Sequence, residues 1–290
     1  MSPPRARPPG AVARPDLCQA AGVGSVVAVE SFDDPRLDDY RHLREPSRRM
    51  HVERARGIFT LEGALSVEAL LASPYRARSI LVTAEHAPKL AARFATDVPI
   101  LSLPAAAMAQ VTGVHFHRGV LAVAERPRLP SVDDLVLGAR HVLVLEGVND
   151  HENIGSLFRN AAAFGVEAVV LDPATADPLY RRATRVSLGH VLRVPFARAE
   201  RWPAALADLR SGGFSTIALT PAAEAEPLGQ LVGDPPARWA LLVGAEGPGL
   251  SAGALAAVDR RVRIPMEPGV DSVNVATAAA IALSALYGAR

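Results

Sequence analysis

Cysteine occurs once in this 290-residue chain, at Cys18, which excludes an intrachain disulfide and any cysteine-based zinc site. Lysine also occurs once, at Lys89, so the positive charge is carried by arginine, the better fork for a phosphate wherever a phosphate site exists. Enrichment in Arg and Ala also follows from a GC-rich genome, so no single Arg is a functional signal by itself. The net charge is only +1, and affinity for a polyanion must come from local clusters. No apolar run reaches the roughly 18 residues of a spanning helix, and the N-terminus lacks the apolar core of a secretory signal. A cytoplasmic protein without membrane contact is expected. The dinucleotide fingerprint G-x-G-x-x-G is missing, and no Lys follows a glycine-rich loop as in nucleoside-triphosphate sites. These absences weigh against a dehydrogenase or another nucleotide-binding enzyme on a doubly wound sheet.

What is present belongs to a compact protein, with 49% hydrophobic and 21% charged residues and a mean hydropathy of +0.16. The length suits two domains. Residues 1–24, rich in Pro, Arg and Gly, predict a disordered tail. Residues 25–125 alternate short apolar runs with helix-like stretches and predict a small α/β domain; the proline-broken stretch 126–139 reads as a linker; residues 140–290 repeat the α/β rhythm and predict a mostly parallel sheet covered on both faces. Seven arginines between Arg36 and Arg56, set against Asp38, Asp39, Glu45 and Glu53, fit either a solvated helix face or an arm that touches a polyanion.

Ligands in open parallel sheets bind beyond the carboxyl ends of the strands, which directs attention to three strand-to-helix loops. In "GVNDHENIGSLFRNAAAFG", Asn153 and Gly155 begin a helix whose next turn carries Arg159. The i to i+4 step places Gly155 and Arg159 on one face, leaving room for a ligand above the glycine and a guanidinium to clamp a phosphate. "GAEGPGLS" sets Gly244, Gly247 and Gly249 around Glu246, a carboxylate able to accept from hydroxyl or amino groups where backbone can approach a ligand closely. In "IPMEPGVDSVNVATAAAIAL", Asp271, Ser272 and Asn274 precede an Ala-rich helix. One of them suffices as a helix cap, so the surplus favours a site. Backbone around Ile264, Pro265 and Met266 is placed to meet an adenine edge, with Val273 as apolar contact.

Taken together, "NIGSLFRNAAAFG", "LLVGAEGPGLS" and "IPMEPGVDSVNVATAAAIAL" resemble the three ordered motifs of the SpoU (TrmH-type) RNA 2′-O-ribose methyltransferases of the SPOUT superfamily, over about residues 140–290. The first half, with "EGALSVEALLAS" and "HRGVLAVAERP", is more loosely similar to the small RNA-binding domain that many members carry. The resemblance implies an α/β fold whose C-terminal parallel-sheet SPOUT domain holds a deep trefoil knot, preceded by a small α/β RNA-binding domain. It implies S-adenosylmethionine as cofactor, no metal, RNA as partner and a homodimer in which each site borrows residues from its neighbour. Gly244, Ile264, Met266 and Val273 fall at cofactor positions, with Val273 where Leu is more usual. Asn153, Arg159, Glu246, Ser272 and Asn274 fall at catalytic or site-building positions. Arg159, already protonated and therefore a poor base, would hold phosphate and stabilise charge on the attacking 2′-oxygen. The additional N-terminal domain favours ribosomal over transfer RNA; a noncatalytic RNA-binding protein that keeps the fold is the alternative. Arg181, Arg182, Arg185, His190 and Arg193 stand where an RNA path could run, although His190 also fits a satisfied core histidine. The Ala-rich last helix fits an interface or an ordinary core.

Overall fold

"HVLVLE", "AVVL" and "WALLVG" leave no polar face, so strands made of them are stable only with both faces covered. The computed structural model describes residues 26–94, 96–114 and 119–289, and the tail expected to be disordered, with Cys18, lies outside them. The first half comprises β1 (Val26–Ala28), α1 (Pro46–Arg56), β2 (Ile58–Glu62), α2 (Ala64–Leu71), β3 (Ala77–Thr83), α3 (Ala87–Arg93), β4 (Ile100–Leu103), α4 (Ala105–Thr112) and β5 (Val120–Glu125). Its five-stranded sheet has the order β1-β4-β3-β5-β2, with β1, β4 and β3 parallel and β5 antiparallel to both neighbours.

The second half comprises α5 (Val132–Val136), β6 (His141–Glu146), α6 (His151–Ala163), β7 (Ala168–Leu171), α7 (Arg181–Val186), β8 (Phe196–Arg198) and α8 (Ala205–Ser211). It continues with β9 (Ser215–Leu219), β10 (Glu226–Pro227), α9 (Leu228–Gly233), β11 (Trp239–Gly244), α10 (Ala252–Ala257), β12 (Arg260–Arg263) and α11 (Val275–Gly288). These strands form one seven-stranded parallel sheet in the order β10-β12-β9-β11-β6-β7-β8. Alternate residues face opposite layers: Leu143, Leu145 and Val169 join the layer of α6 and α11, while Val142, Val144 and Val170 join that of α5 and α8. From β6 the chain steps outward through β7 and β8, then returns to build on the other side of β6. The crevice beyond the carboxyl ends of β6 and β11 is therefore the switch point, where such sheets take ligands.

The stretch 126–139 is more than a linker. Ser131 caps α5 by accepting from the Asp134 N–H at 3.0 Å, and Val136 and Ala139 are buried against the second sheet. The two halves also share a core, since Phe59, Leu61 and Leu70 cluster with Ala183, Val191 and Leu192. Gly189, at φ +81°, lets the turn after α7 touch α2; a Cβ there would stand 2.3 Å from that of Ala69. Across this seam Arg181 pairs with Glu62 at 2.7 Å and Arg126 with Asp177 at 2.6 Å. In the Arg-rich segment most charges are locally answered, by Asp34 at Arg36, Asp38 at Arg41 and Asp39 at Arg56, and Arg49 is a buried partner of Glu53 and Thr60. Arg49 thus fits neither a solvated face nor an arm.

Candidate functional site

Helix capping and site construction coincide at Asn274. Its Oδ1 accepts from the N–H groups of Ala276 and Thr277, at 2.9 and 3.2 Å, and so closes the first turn of α11. Its Nδ2 donates to Oδ1 of Asn153 at 2.8 Å and to Oε1 of Glu246 at 2.7 Å. One amide therefore ties together the loops after β6, β11 and β12. Asn153 is itself fixed by the cap of α6, where the Asp150 carboxylate accepts from the N–H groups of Glu152 and Asn153. Two turns further on, Asn160 Nδ2 donates to the Ala276 carbonyl at 2.8 Å, locking α6 against the start of α11.

Around Asn274 lies a cavity of about 430 Å³, on which Gly244, Glu246, Ile264, Met266, Ser272 and Val273 all border. Its size is that of a small-molecule site. Leu219 and Thr220, at the end of β9, complete the wall. The glycine-rich loop folds back on its strand, with the Gly249 N–H donating to the Ala245 carbonyl at 3.0 Å. Gly244 is small because of that fold: a Cβ on it would stand 2.3 Å from the carbonyl carbon of Gly249 and 2.5 Å from the Leu250 nitrogen.

Arg159 is not part of this cavity. It follows Asn153 by six residues, about 240° around the helix and about 9 Å along its axis. Its face of α6 turns toward α7 and the following turn, near His190, and the side chain is exposed. Gly155 corrects an expectation: no ligand sits above it, because a Cβ there would meet the Ala183 carbonyl at 2.7 Å and Val186 at 2.8 Å. The glycine admits α7, and the i to i+4 spacing that relates it to Arg159 identifies a face without saying what covers it.

Among the arginines expected along an RNA path, Arg181 and Arg185 lie against Glu62, and Arg182 grips Glu152 through two nitrogens at 2.9 and 2.7 Å. His190 is half-buried, its Nδ1 has no hydrogen-bond partner among the described residues, and burial with Arg193 and Arg159 nearby holds its imidazole below the usual basicity. It is not a satisfied core histidine.

Sequence reasoning missed Glu146. This nearly buried carboxylate ends β6 and accepts from Trp202 Nε1 at 2.6 Å and from the Ser251 N–H and hydroxyl at 2.9 and 2.6 Å. It anchors the far end of the glycine-rich loop, and an acid closing the apolar run "HVLVLE" was the available signal. Among the described residues no cluster of three or more His, Cys, Asp or Glu could hold a metal ion, and no helix is long and apolar enough to cross a membrane.

Comparison with known proteins agrees with this fold. A protein of Mycobacterium tuberculosis described as an uncharacterized tRNA/rRNA methyltransferase is 50% identical over 252 residues, 86% of this chain and 88% of that one. The 23S rRNA (guanosine(2553)-2′-O)-methyltransferase RlmP of Bacillus subtilis is 29% identical over 262 residues, 90% of this chain and 99% of that one. The AdoMet-bound rRNA methyltransferase of Sinorhizobium meliloti superposes with a TM-score of 0.75 at 24% identity, covering 90% of this chain and 97% of that one, and shares the fold. The model of the SpoU rRNA Methylase family matches residues 140–284, which hold the whole parallel sheet and all three loops, and the chain belongs to that family of RNA methyltransferases.

Proposed function

We propose that this chain is an S-adenosylmethionine-dependent methyltransferase acting on a ribose 2′-hydroxyl of structured RNA, with ribosomal RNA favoured over transfer RNA. The observation that carries the reading is the Asn274 junction, which brings Asn153 and Glu246 together at the mouth of the switch-point cavity. The cavity's donor set fits the cofactor: Ile264, Met266 and Val273 are apolar enough for an adenine and a thioether, while Thr220, Glu246 and Ser272 can meet ribose hydroxyls and the amino acid end. When bound, the cofactor supplies a methyl group activated on a sulfonium. The protein's own task is alignment and electrostatics. Asn274 orients Asn153 and Glu246, Gly244 and its folded loop shape the wall, and Arg159 holds RNA phosphate beside the attacking oxygen. The name of the Bacillus subtilis relative supports the ribose 2′-oxygen, as does an RNA 2′-O ribose methyltransferase of known structure, 25% identical with a TM-score of 0.69 over 90% of this chain. In this reading the chain from Ile264 onward threads the preceding loop as a trefoil knot, and the protein works in the cytoplasm, where its RNA is.

Titration calorimetry with S-adenosylmethionine on the parent, Asn274→Asp and Asn274→Ala separates a site from a cap. Asp keeps a cap acceptor for α11 but loses the donor and sets a second carboxylate against Glu246. The expected result is a parent-like thermal midpoint for Asn274→Asp with affinity reduced about tenfold or more. Asn274→Ala should additionally lose about 1 kcal/mol of stability with the cap. Parent affinity in Asn274→Asp would reduce Asn274 to a cap. A folded parent that binds no cofactor would leave the noncatalytic RNA-binding reading, and 2′-O-methylation mapped on total RNA before and after treatment decides the reaction itself.

The same reading takes the chain as a homodimer. Thr277, Ile281, Ser284 and Tyr287 form an outward stripe on α11, on which Ile281 is 41% exposed and Tyr287 50% exposed. A second copy covering that stripe can bring its Arg159 to a cavity that the chain's own Arg159 faces away from. Ile281→Arg should convert the dimer to monomer in light scattering while leaving the fold intact, and an unchanged dimer would remove this stripe from the interface.

A further inference from the structure

A second cavity, of about 490 Å³, opens on the seam between the two halves beside the start of α6. His151, which borders it, stands two residues before Asn153 on the same helix. Its chemistry differs from that of the switch-point cavity. Arg44, Arg181, Arg182 and Arg185 line it; Glu62 answers Arg181 and Arg185 and Glu152 answers Arg182, so four guanidiniums stand against two carboxylates and the rim stays cationic. Arg185 remains 41% exposed and Arg44 is exposed. On one wall the rings of Tyr180 and His151 lie 4.3 Å apart between centroids, and burial keeps the imidazole below its usual basicity. Leu43 and Met50, from the first half, add an apolar surface.

A cationic rim alone would suit any anion, whereas an aromatic wall and an apolar surface inside that rim suit a planar ring attached to phosphates. A base held in a duplex cannot enter such a pocket, because its faces are already stacked; an unpaired base can. Two halves of the chain contribute, so an occupant touches both domains at once. We infer that this cavity is a subsite for an unpaired RNA nucleotide that flanks the methylated one, its base packed on Tyr180 and its phosphates met by Arg44 and Arg185. The inference rests on the reading of the chain as an RNA-modifying enzyme and adds where the substrate strand is gripped.

The test measures fluorescence anisotropy of the full-length protein with a labelled oligoadenylate about twelve nucleotides long, and with an abasic strand of equal length. Tyr180→Leu should weaken oligoadenylate binding roughly 5- to 100-fold, the range expected for one lost base stack, and leave the abasic strand unchanged. Arg44→Gln combined with Arg185→Gln should weaken both strands and flatten the slope of log affinity against log salt by about 1.4, as for two lost phosphate contacts on a single strand. S-adenosylmethionine affinity, measured in parallel, should stay at the parent value in every variant and reports that each is folded; Arg44→Gln alone, at an exposed position, serves if the double variant is not. Parent-like oligoadenylate binding by these folded variants would overturn the subsite, as would a parent that binds neither strand. A parent that binds RNA through Tyr180 and the two arginines but takes up no S-adenosylmethionine would support the subsite while overturning the methyltransferase reading.

Discussion

Gly244→Ala is expected to weaken binding of S-adenosylmethionine roughly 100-fold while leaving a cooperatively folded protein. The added methyl group would lie 2.3 Å from the Gly249 carbonyl carbon, 2.5 Å from its oxygen and 2.5 Å from the Leu250 nitrogen. Ordinary carbon contacts begin near 3.5 Å, so the loop must retreat by at least about 1 Å, and backbone atoms cannot swing aside as a side chain does. The other end of the loop is pinned, because Glu146 holds Ser251 by both its N–H and its hydroxyl. The displacement therefore falls on Ala245–Gly249, the stretch that carries Glu246 to Asn274. Misplacement on that scale costs roughly 100-fold in a preorganised site. The strand should survive, since β11 is paired on both sides, to β6 and β9, and its apolar residues are buried. Calorimetric titration beside a thermal melt makes the check: a folded variant with parent affinity would show that this loop is not a cofactor wall.

The meeting of the three loops was legible in the sequence because each motif sits where an apolar strand run stops, and a parallel sheet delivers all such ends to one edge. The surplus of polar groups before α11 was legible for the same reason, and Asn274 turns out to be cap and junction at once. Long-range partners were not. Glu62 and Arg181 are 119 residues apart, and nothing local to "TLEGAL" or "YRRATR" announces that they meet across the seam. Gly155 was misread on similar grounds, because helical spacing fixes its face and leaves unstated that α7 packs there at backbone contact distance. The burial of Arg49 depends on Thr60 in the next strand, which a charge count over one segment does not include. In each case the missing fact is what a second element places opposite, and that is decided by packing of the whole chain.

Arg159→Ala should reduce methyl transfer by about 100- to 1,000-fold, the usual loss when one donor to a developing oxyanion is removed. Cofactor affinity should change little, because Arg159 is absent from the lining that its own chain gives the cavity and its proposed contact is to RNA phosphate. Stability should not fall either, since the side chain is exposed and Ala is the better helix former. Arg159→Lys should recover little, as an ammonium lacks the planar fork that holds a phosphate through two bonds. Single-turnover transfer of labelled methyl groups to RNA gives the rate; parent-like turnover in Arg159→Ala would remove Arg159 from the chemistry. The separation between Arg159 and Asn153 around α6 adds a sharper consequence. If the functional site joins Arg159 of one copy to Asn274 of another, mixing Arg159→Ala with Asn274→Asp, at a cofactor concentration too low for the weakened Asn274→Asp site, creates heterodimers in which one site has both residues intact and the other has neither. Random re-pairing of the two chains then restores about one quarter of parent activity. If each chain supplies both residues to its own site, every site in the mixture keeps one defect and activity stays at the level of the separate variants.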